Sequence, residues 1–585
     1  MRRMVTRWLV AAAGLAALGA SPAAGAEEAK NPVGPPTNAK ALERWRQMRF
    51  GMFIHWGPVS LKGTEIGWSR GAQIPRAEYD SLYKRFNPEK FSAAEWVGLA
   101  KQAGMKYMVL TAKHHDGFCL WDSKVTDYDI MSTPFGRDVV RELAEECRRQ
   151  GLMFCTYYSI LDWYQPDYIP HSHGGPGYDP NRTPDLERYV TYMKAQLREL
   201  IQGHGPLGIL WFDGEWEKTW TPARGRDLYD YCRSLQDEML VNNRVGRGKR
   251  GSDGSLLGDY ETPEQVIGAF SRDRPWETNM TICRQWAWKP GDEMKSLEQC
   301  LRTLVHVAGG DGNFLFNVGP MPDGRIEPRQ TDRLREMGAW LGKYGTTIYG
   351  TRGGPFKPGK WGASTCKGNT IFVHIFRWPQ EGKLLLPPIA AKVAGSSVLT
   401  GGNAAVSQTA AGVEIAIPQA DRQAIDTIVA LELDGPAFAV PPVDVRWPSR
   451  SLAYGKKATA SNVFRKMVKV HGPAMALDDD SETRWATDVG TTQAWLEVDL
   501  GEPMTFDRAR IEEWAERVQE FALEARTDGE WKAFHKGMRI APEAEFAFPP
   551  VTARYIRLNI LKASDGPTIT EFQLLAPKDA RPKAP

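Results

Sequence analysis

The sequence predicts a multidomain protein in which a (β/α)8-like, TIM-type barrel is followed by two antiparallel β-sandwich domains. The first observation is the length of 585 residues, because a single hydrophobic core stops growing at roughly 250 to 300 residues. The second is a repeat, from about residue 40 to residue 345, of an amphipathic helix, a glycine and a short apolar strand. The third is that short strands with Gly and Pro turns replace the helical patterns after this region.

The barrel is predicted for residues 38–345. Its units include VVRELAEECRRQG before LMFCTYYS, and a helix that ends at Gly205 before GILWFDG. Strands that alternate with helices and are apolar on both faces predict a parallel sheet. No glycine-rich phosphate turn follows the first strand, RFGMFIHWG, and about seven such units fit a closed barrel better than an open doubly wound sheet.

Two β-rich regions follow the barrel. Residues 346–445 contain the strands TIFVHIF, GVEIAIP and DTIVALEL, which predict a small antiparallel sandwich. The segment PPVDVRWPSR is typical of a linker. Residues 451–577 contain AWLEVDLG, ARYIRLNIL and ITEFQLL, so a second β-sandwich is predicted there.

Residues 1–26 have the composition of a secretory signal peptide. Arg2, Arg3 and Arg7 precede an apolar run, and small residues around Ala26 form a cleavage site. The run is shorter than the roughly 20 residues that a bilayer span needs, and no later segment is long enough. We therefore expect a protein without a membrane span that is exported, to the periplasm or outside the cell, after cleavage near Ala26.

The overall composition narrows the function classes. Lys and Arg total 74 against 71 Asp and Glu, so no charge excess favours nucleic acid as a partner. The seven cysteines are scattered without C-x-x-C pairs, and we expect them to pack in the core and not to form a disulfide framework. The 21 tryptophans supply aromatic faces that pack in cores or stack on sugar rings.

Polar side chains end five of the predicted barrel strands. These residues are His55, His114, Tyr157, Asp213 and Arg244. In a (β/α) barrel the carboxyl ends of the strands meet at one rim, where the active sites of this fold lie. We therefore expect these five side chains to surround one site.

Asp213, at the end of GILWFDG, can be a nucleophile, a metal ligand, a general base or a structural cap. No His or Glu stands at metal-ligand spacing from it, which disfavours a metal. Glycoside hydrolysis needs a second carboxylate, and the candidates are Glu264 in GDYETPEQ and Glu277 in PWETNMTI. Glu264 is favoured because it lies in a rim loop, whereas Glu277 begins its strand and should point toward the opposite rim or pack near Trp276.

Histidines and tryptophans supply further candidates. Adjacent residues of a strand point to opposite faces, so His114 and His115 can bind the same metal ion only if the chain turns there. Neutral imidazoles can instead bind sugar hydroxyls. His171 and His173 lie in a Gly/Pro loop, which favours a plain loop over a metal site. The tryptophans that can line an apolar wall for the methyl group of a deoxy sugar are Trp56, Trp211, Trp286 and Trp288.

Seven separate motifs carry a family resemblance, in this order from residue 50 to residue 282: FGMFIHWG, KYMVLTAKHHDGFCLWDS, YYS, WFDG, NNR, TPE and WETNMTI. Together they resemble the α-L-fucosidases of glycoside hydrolase family 29, over about residues 40–440. The resemblance implies a retaining enzyme in which Asp213 is the nucleophile and Glu264 the acid/base. Glu277 is the alternative acid/base and is otherwise expected to contact the substrate. The resemblance also implies that no cofactor is needed and that fucose is held by His55, His114, His115, Tyr157, Trp211 and Arg244.

One motif departs from the family pattern. Many members carry Glu directly before Trp in the loop after the first strand, where these residues contact the fucose hydroxyls. Here the loop contains Glu65-Ile66-Gly67-Trp68, so Glu65 or Trp68 is expected to make that contact.

Residues 451–576 resemble the discoidin-like, coagulation-factor type C β-sandwiches that serve as carbohydrate-binding modules. ALDDDSETRWATD matches their Asp-Gly-x-x-x-Thr-x-Trp loop, with Asp479 in place of the Gly. The resemblance implies a structural Ca²⁺, a hard cation that oxygen donors suit, and the alternative is an acidic solvated turn. The expected ligands are Asp478, Asp480, Thr483 and Glu571.

The predicted function is an exo-acting retaining α-L-fucosidase that acts on fucosylated oligosaccharides or glycoconjugates. One alternative is a non-catalytic glycan-binding protein that keeps the barrel as a platform. Another is an exo-glycosidase for a related sugar such as galactose.

Overall fold

The computed structural model describes residues 38–577 except 169–182, 247–256, 380, 448, 481–482 and 541–542. The predicted signal peptide, residues 1–26, and the two loop histidines His171 and His173 therefore lie outside the described residues. Within the described part, every helix is too short or too polar to cross a membrane.

A parallel sheet forms the first part of the molecule, and its strand order is β5-β4-β3-β2-β1-β7-β6. Adjacent strands pair in parallel along the whole path. The strands are β1 (Phe50–Ile54), β2 (Tyr107–Lys113), β3 (Met153–Ser159), β4 (Ile209–Asp213), β5 (Leu240–Val241), β6 (Glu277–Thr281) and β7 (Asn313–Val318).

An irregular segment, residues 260–264, lies between the two edges of this sheet. Tyr260 bridges to Asn242 directly after β5, and Glu264 bridges to Asn279 of β6, both in the parallel sense. The segment therefore takes the eighth position and closes the barrel, as the (β/α)8-like prediction requires.

Helices pack around the outside of the sheet. They begin where the sequence offers side-chain caps, because Ser92, Asp138, Asp185, Thr221 and Ser296 each accept a hydrogen bond from a backbone N–H of the first turn. The helices are α1 (Ala39–Met48), α2 (Arg76–Tyr79), α3 (Ala93–Gln102), α4 (Val139–Gln150), α5 (Leu186–His204), α6 (Pro222–Leu235), α7 (Leu297–Gly309) and α8 (Pro328–Tyr344).

Alternate residues of each strand face the two sides of the barrel wall. Phe53, Val109 and Trp211 belong to one buried cluster inside the barrel, whereas their neighbours Met52 and Phe212 belong to the larger cluster between sheet and helices. This period of two decides which strand residues can reach a site inside the rim.

Two antiparallel sheets form the second part, with strand orders β12-β15-β10-β9-β8 and β11-β14-β13. Apolar side chains from both sheets share one core, as in a sandwich. The strands are β8 (Arg352–Gly353), β9 (Gly362–Lys367), β10 (Thr370–Ile375), β11 (Lys383–Leu386), β12 (Val393–Val398), β13 (Ala405–Thr409), β14 (Gly412–Ala416) and β15 (Thr427–Leu433).

The third part is also antiparallel and has its own core. Its two longest strands change register where they pair, which lets each strand bend. The elements are β16 (Lys457–Ala460), α9 (Val468–His471), β17 (Trp485–Ala486), β18 (Ala494–Glu513), β19 (Val518–Thr527), β20 (Glu530–Gly537), β21 (Glu543–Ala563) and β22 (Thr568–Leu575).

The cysteines behave as the composition predicts. All seven are buried and unpaired. They therefore serve as small apolar side chains of the core.

Candidate active site

Asp213 is the last residue of β4, and both of its carboxylate oxygens are held. Arg244 Nη1 donates to Oδ1 at 2.8 Å, and the Tyr157 hydroxyl donates to Oδ2 at 3.0 Å. Burial by itself raises the pKa of Asp213, but the charge of Arg244 and the hydrogen bonds to the carboxylate bring the pKa below its usual value. Asp213 is therefore ionised at neutral pH and fixed in orientation.

Arg244 lies in the turn after β5 and connects two carboxylates. Its Nη2 donates to Glu264 Oε2 at 2.8 Å, while Nε and Nη2 also donate to the hydroxyl and carbonyl oxygens of Thr262 at 3.0 and 3.1 Å. The guanidinium carbon is 4.8 Å from the ring centroid of Trp211. One planar group thus bridges Asp213 and Glu264.

Glu264 belongs to the segment that closes the barrel, and its side chain is 41% exposed. Because Asp213 and Glu264 bind the same guanidinium, their carboxyl groups face one site across it. Retaining glycosidases hold their two carboxyl groups about 5 Å apart.

Three neutral imidazoles border the carboxylates. His55 Nδ1 donates to Asn317 at 2.6 Å, and His115 Nδ1 donates to Ser159 at 2.6 Å. Burial lowers the pKa of His55 to about 3 and that of His115 to about 4, and it also lowers the pKa of His114. Neutral imidazoles can exchange hydrogen bonds with sugar hydroxyls.

The chain turns directly after β2, and this turn brings His114 and His115 to the same site. Their ring centroids are 4.2 Å apart, and His114 is stacked on Tyr157 with centroids 5.4 Å apart. His115 Nε2 lies 3.6 Å from Asp213 Oδ2. The predicted convergence of His55, His114, Tyr157, Asp213 and Arg244 is found in these contacts.

Aromatic rings surround the imidazoles. Trp286 lies 4.7 Å from His55, and Trp68 meets His115 edge to face at 5.5 Å, each measured between ring centroids. Trp68 is 46% exposed, so its ring can contact a ligand at the mouth of the site. Trp211 stacks on Tyr157 deeper in the barrel, with the centroids 5.5 Å apart.

Glu65 holds the loop that carries Trp286. Its two carboxylate oxygens accept hydrogen bonds from the backbone N–H groups of Trp286 and Ala287 at 3.0 and 3.1 Å. Burial raises the pKa of this carboxyl group. Of the two expected fucose contacts, the geometry therefore favours Trp68, and it gives Glu65 the task of placing Trp286.

The prediction that Trp56 binds substrate is wrong. Trp56 packs against Phe86, Phe91 and Trp96, and its indole N–H donates to the carbonyl oxygen of Met321. It follows His55 directly, so the alternation of side chains sends it into the core between sheet and helices.

Glu277 also lies away from the rim, which contradicts its prediction as substrate contact and as alternative acid/base. It is 0% exposed and begins β6 inside the barrel. Tyr107 and Trp211 donate hydrogen bonds to it at 2.5 and 3.0 Å. A general acid must reach the leaving group, and this carboxyl group is enclosed by protein.

Sequence reasoning missed Glu215, two residues after Asp213. Its Oε2 is buried and has no hydrogen-bond partner within the described ranges. Burial, followed by the charge of Asp213, raises the pKa of Glu215 to about 7. The sequence feature that could have indicated Glu215 is its place as the acidic residue directly after WFDG.

The predicted calcium loop has suitable donors in an internally bonded arrangement. Thr483 and the Asp480 backbone donate to Asp478, and Gln573 donates to Asp479. Glu571 is buried, and its Oε1 lacks a partner in the described part of the chain. Among the described residues, which exclude 481–482, no three acidic, His or Cys side chains are grouped to hold a metal. The donor types fit Ca²⁺, but its binding stays a prediction.

Comparison with known proteins gives the family. A family model described as "Alpha-L-fucosidase" matches residues 20–346, more than half of the chain. The chain belongs to the α-L-fucosidase family of glycoside hydrolases. A second model, described as "F5/8 type C domain", matches residues 457–572, so the discoidin-like prediction for the third part is confirmed.

Relatives and solved structures of the family agree. Tissue α-L-fucosidase of Bos taurus is 30% identical over 392 residues, which cover 61% of this chain and 80% of the bovine protein. α-L-Fucosidase isoenzyme 1 from Paenibacillus thiaminolyticus has a TM-score of 0.63 at 32% identity, over 68% of this chain and 99% of that chain. A family 29 fucosidase from Bacteroides thetaiotaomicron, trapped as a covalent intermediate with 2-fluoro-fucosyl fluoride, has a TM-score of 0.62 at 27% identity, over 69% and 98%.

Proposed function

We propose that this protein is an exo-acting retaining α-L-fucosidase, which releases terminal α-L-fucosyl residues from fucosylated glycans through a covalent fucosyl–enzyme intermediate. One observation carries the proposal. Arg244 and Tyr157 hold an ionised Asp213 at the rim of the barrel, and the same guanidinium holds a second carboxylate, Glu264.

In the first step, Asp213 attacks the anomeric carbon of fucose. The carbon–oxygen bond to the leaving group breaks, and Glu264 donates its proton to the departing oxygen. The ester between Asp213 and the sugar carries the inverted configuration. Arg244 and Tyr157 keep the attacking oxygens aligned, which removes part of the orientational entropy from the barrier.

In the second step, water cleaves the ester. Glu264 takes a proton from the water, the oxygen of the water attacks the anomeric carbon, and Asp213 leaves as a carboxylate. Two inversions give net retention. The neutral histidines bind the hydroxyls of the sugar, and Trp286 and Trp68 offer aromatic faces to its methyl group.

The proposed acid/base is Glu264, because its carboxyl group is partly exposed and shares the Arg244 guanidinium with Asp213. Glu215 is the second candidate. A general acid must be protonated at the working pH, and burial next to Asp213 raises the pKa of Glu215 to about 7.

The test of the function uses 4-nitrophenyl α-L-fucoside and its galactoside counterpart. Wild type should release 4-nitrophenol from the fucoside, Asp213→Ala should not, and 2-fluoro-fucosyl fluoride should label the peptide that contains Asp213. Equal, negligible release by both proteins would support the alternative of a glycan-binding protein. Release from the galactoside alone would support the galactosidase alternative.

We also propose that the third part of the chain binds glycans, and that the binding residue is Trp514, which directly follows β18. Trp514 is 53% exposed, and the guanidinium carbon of Arg484 lies 4.3 Å from its ring centroid. An exposed indole beside a cation offers stacking and hydrogen-bond donors to a sugar ring.

The same part is proposed to hold a structural Ca²⁺ on Asp478, Asp480, Thr483 and Glu571, and catalysis is proposed to need no cofactor. Calcium should raise the melting temperature of wild type but not of Glu571→Gln, while a chelator should leave fucoside hydrolysis unchanged. An equal response of both proteins to calcium would contradict the site.

We also propose export to the periplasm or outside the cell. The observations that support it are the basic residues, the apolar run and the small residues that precede Glu27. Amino-terminal sequencing of the mature protein should begin near Glu27, and an uncleaved cytoplasmic protein would contradict export.

A further inference from the structure

Glu277 is a carboxyl group that the proposed reaction does not use. It is completely buried inside the barrel, where Tyr107 donates to its Oε2 and the indole N–H of Trp211 donates to its Oε1. Burying a carboxyl group costs free energy unless hydrogen bonds offset it.

The indole of Trp211 lies beneath both groups that hold the nucleophile. It stacks on the Tyr157 ring with an interplanar angle of 21°, and the Arg244 guanidinium carbon lies 4.8 Å from the indole centroid. Tyr157 binds one oxygen of Asp213, and Arg244 binds the other. A displaced indole therefore displaces both partners of Asp213.

The hydrogen bond from Trp211 to Glu277 supplies the directional restraint that the stacking contacts of the indole lack. Apolar and stacking contacts, such as that with Phe53 at 5.4 Å, tolerate sliding and rotation of the ring. An N–H···O bond is directional and weakens steeply when its angle falls. It therefore fixes the rotation of the indole in its plane.

We propose that Glu277 is a positioning residue of this site: its carboxyl group orients the indole of Trp211 and, through Tyr157 and Arg244, the nucleophile Asp213. The inference rests on the proposed function. It gives Glu277 a task that requires an acceptor atom at Oε1 and requires no contact with substrate.

Substitution of Glu277 by Gln and by Leu distinguishes the need for a hydrogen-bond acceptor from the need for a negative charge. Burial raises the pKa of Glu277 to about 7, so a proton on this carboxyl group is compatible with the site at neutral pH. Gln resembles the protonated acid, because its carbonyl oxygen accepts from Trp211 while its amide donates to the Tyr107 oxygen. Leu has a similar size and no acceptor.

We expect Glu277→Leu to lower kcat for the aryl fucoside by up to about 100-fold with little change in KM, because a small misplacement of a reacting group has that cost. Glu277→Gln should restore kcat to within about threefold of wild type. Trp211→Phe removes the same N–H, so the double variant Glu277→Leu with Trp211→Phe should be no slower than Trp211→Phe alone, since coupled residues are not additive.

Two controls separate positioning from loss of fold. Rates are expressed per active site, counted by labelling with 2-fluoro-fucosyl fluoride. Asp311→Asn removes another buried carboxylate, paired with Arg49 and Arg352, and should lower the melting temperature without changing kcat. A Glu277→Leu variant that is less stable but has wild-type kcat would overturn the proposal, as would multiplicative losses in the double variant.

A readout without turnover distinguishes this inference from the proposed function. In ¹⁵N-indole spectra, the Trp211 resonance is assigned by its loss in Trp211→Phe. The indole N–H of Trp211 should stay protected from hydrogen exchange with solvent in Glu277→Gln and should lose this protection in Glu277→Leu. A resonance that is unchanged in Glu277→Leu would overturn the proposal. Failure of wild type to hydrolyse or be labelled by fucosides would instead reject the proposed function, and the indole spectra would still decide whether Glu277 holds Trp211.

Discussion

Arg244 donates from Nη1 to Asp213 at 2.8 Å and thereby links the turn after β5 to the end of β4. The neighbouring Nη2 binds Glu264 at the same distance. Two carboxylates that are 51 positions apart in the sequence are thus held by one guanidinium, which stabilises the ionised form of Asp213 in a buried place.

Replacement of Arg244 by Met should lower kcat/KM for the aryl fucoside by roughly 100- to 1,000-fold, the cost of losing a preorganised charged donor. Burial would then raise the pKa of Asp213 against weaker opposition, which includes the hydrogen bond from Tyr157, so the acidic limb of the pH profile should move to higher pH. The exposed Arg335, replaced by Met, is the control and should change neither quantity. An acidic limb that stays in place would contradict the role of Arg244.

Azide should distinguish the candidate acids. In Glu264→Ala, azide can attack the fucosyl ester without a general base, so it should restore turnover and give the α-fucosyl azide, with retention. In Asp213→Ala, azide replaces the nucleophile and should give the β-fucosyl azide. Rescue of Glu215→Ala but not of Glu264→Ala, measured by product analysis, would assign the acid/base to Glu215.

Acid should destabilise the protein partly through His55. Burial lowers its pKa from 6.5 to about 3 in the folded state. Between these pH values only the unfolded state binds the proton, so His55 costs about 1.4 kcal/mol of stability for each unit by which the pH falls. Above pH 6.5 neither state is charged, and the effect vanishes.

His55→Gln does not titrate, and its unfolding free energy should therefore fall less steeply between pH 6.5 and pH 4 than that of wild type. Urea unfolding at several pH values measures the two slopes. At pH 7.5 the unfolding free energies of wild type and His55→Gln should differ only by the contribution of the packing that the substitution removes. Parallel curves over the acidic range would show that His55 is not buried in its neutral form.

Trp514→Ala should weaken binding of the protein to an immobilised fucosylated glycan by roughly 10-fold, the loss of about 1.4 kcal/mol from one stacking contact. Hydrolysis of the small aryl fucoside should be unchanged, because Trp514 belongs to the third part of the chain. Met538→Ala is the matched control, since Met538 is 73% exposed and is also in the third part. Equal glycan binding by both variants and wild type would contradict the site.

Much of the barrel could be predicted from local pattern. The strand of RFGMFIHWG, for example, is found as β1, because a short run that is apolar on both faces is encoded within a few residues. The position of His55, Asp213 and Arg244 at strand ends was enough to predict their convergence, since parallel strands in a barrel end at one rim. The closing segment at residues 260–264 was expected only as a loop, because its bridges are to residues on both edges of the sheet.

The sequence by itself determined the order of three folded parts, the family, and the set of polar residues that the strands carry to the rim, because these depend on local periodicity and motif. Only the tertiary structure decided which side chains enter the site. One position along the extended chain that follows β1 turns Trp56 away from its neighbour His55. Likewise, the burial that neutralises the histidines and raises the pKa of Glu215 comes largely from neighbours that are distant in the sequence, so no local pattern encodes it.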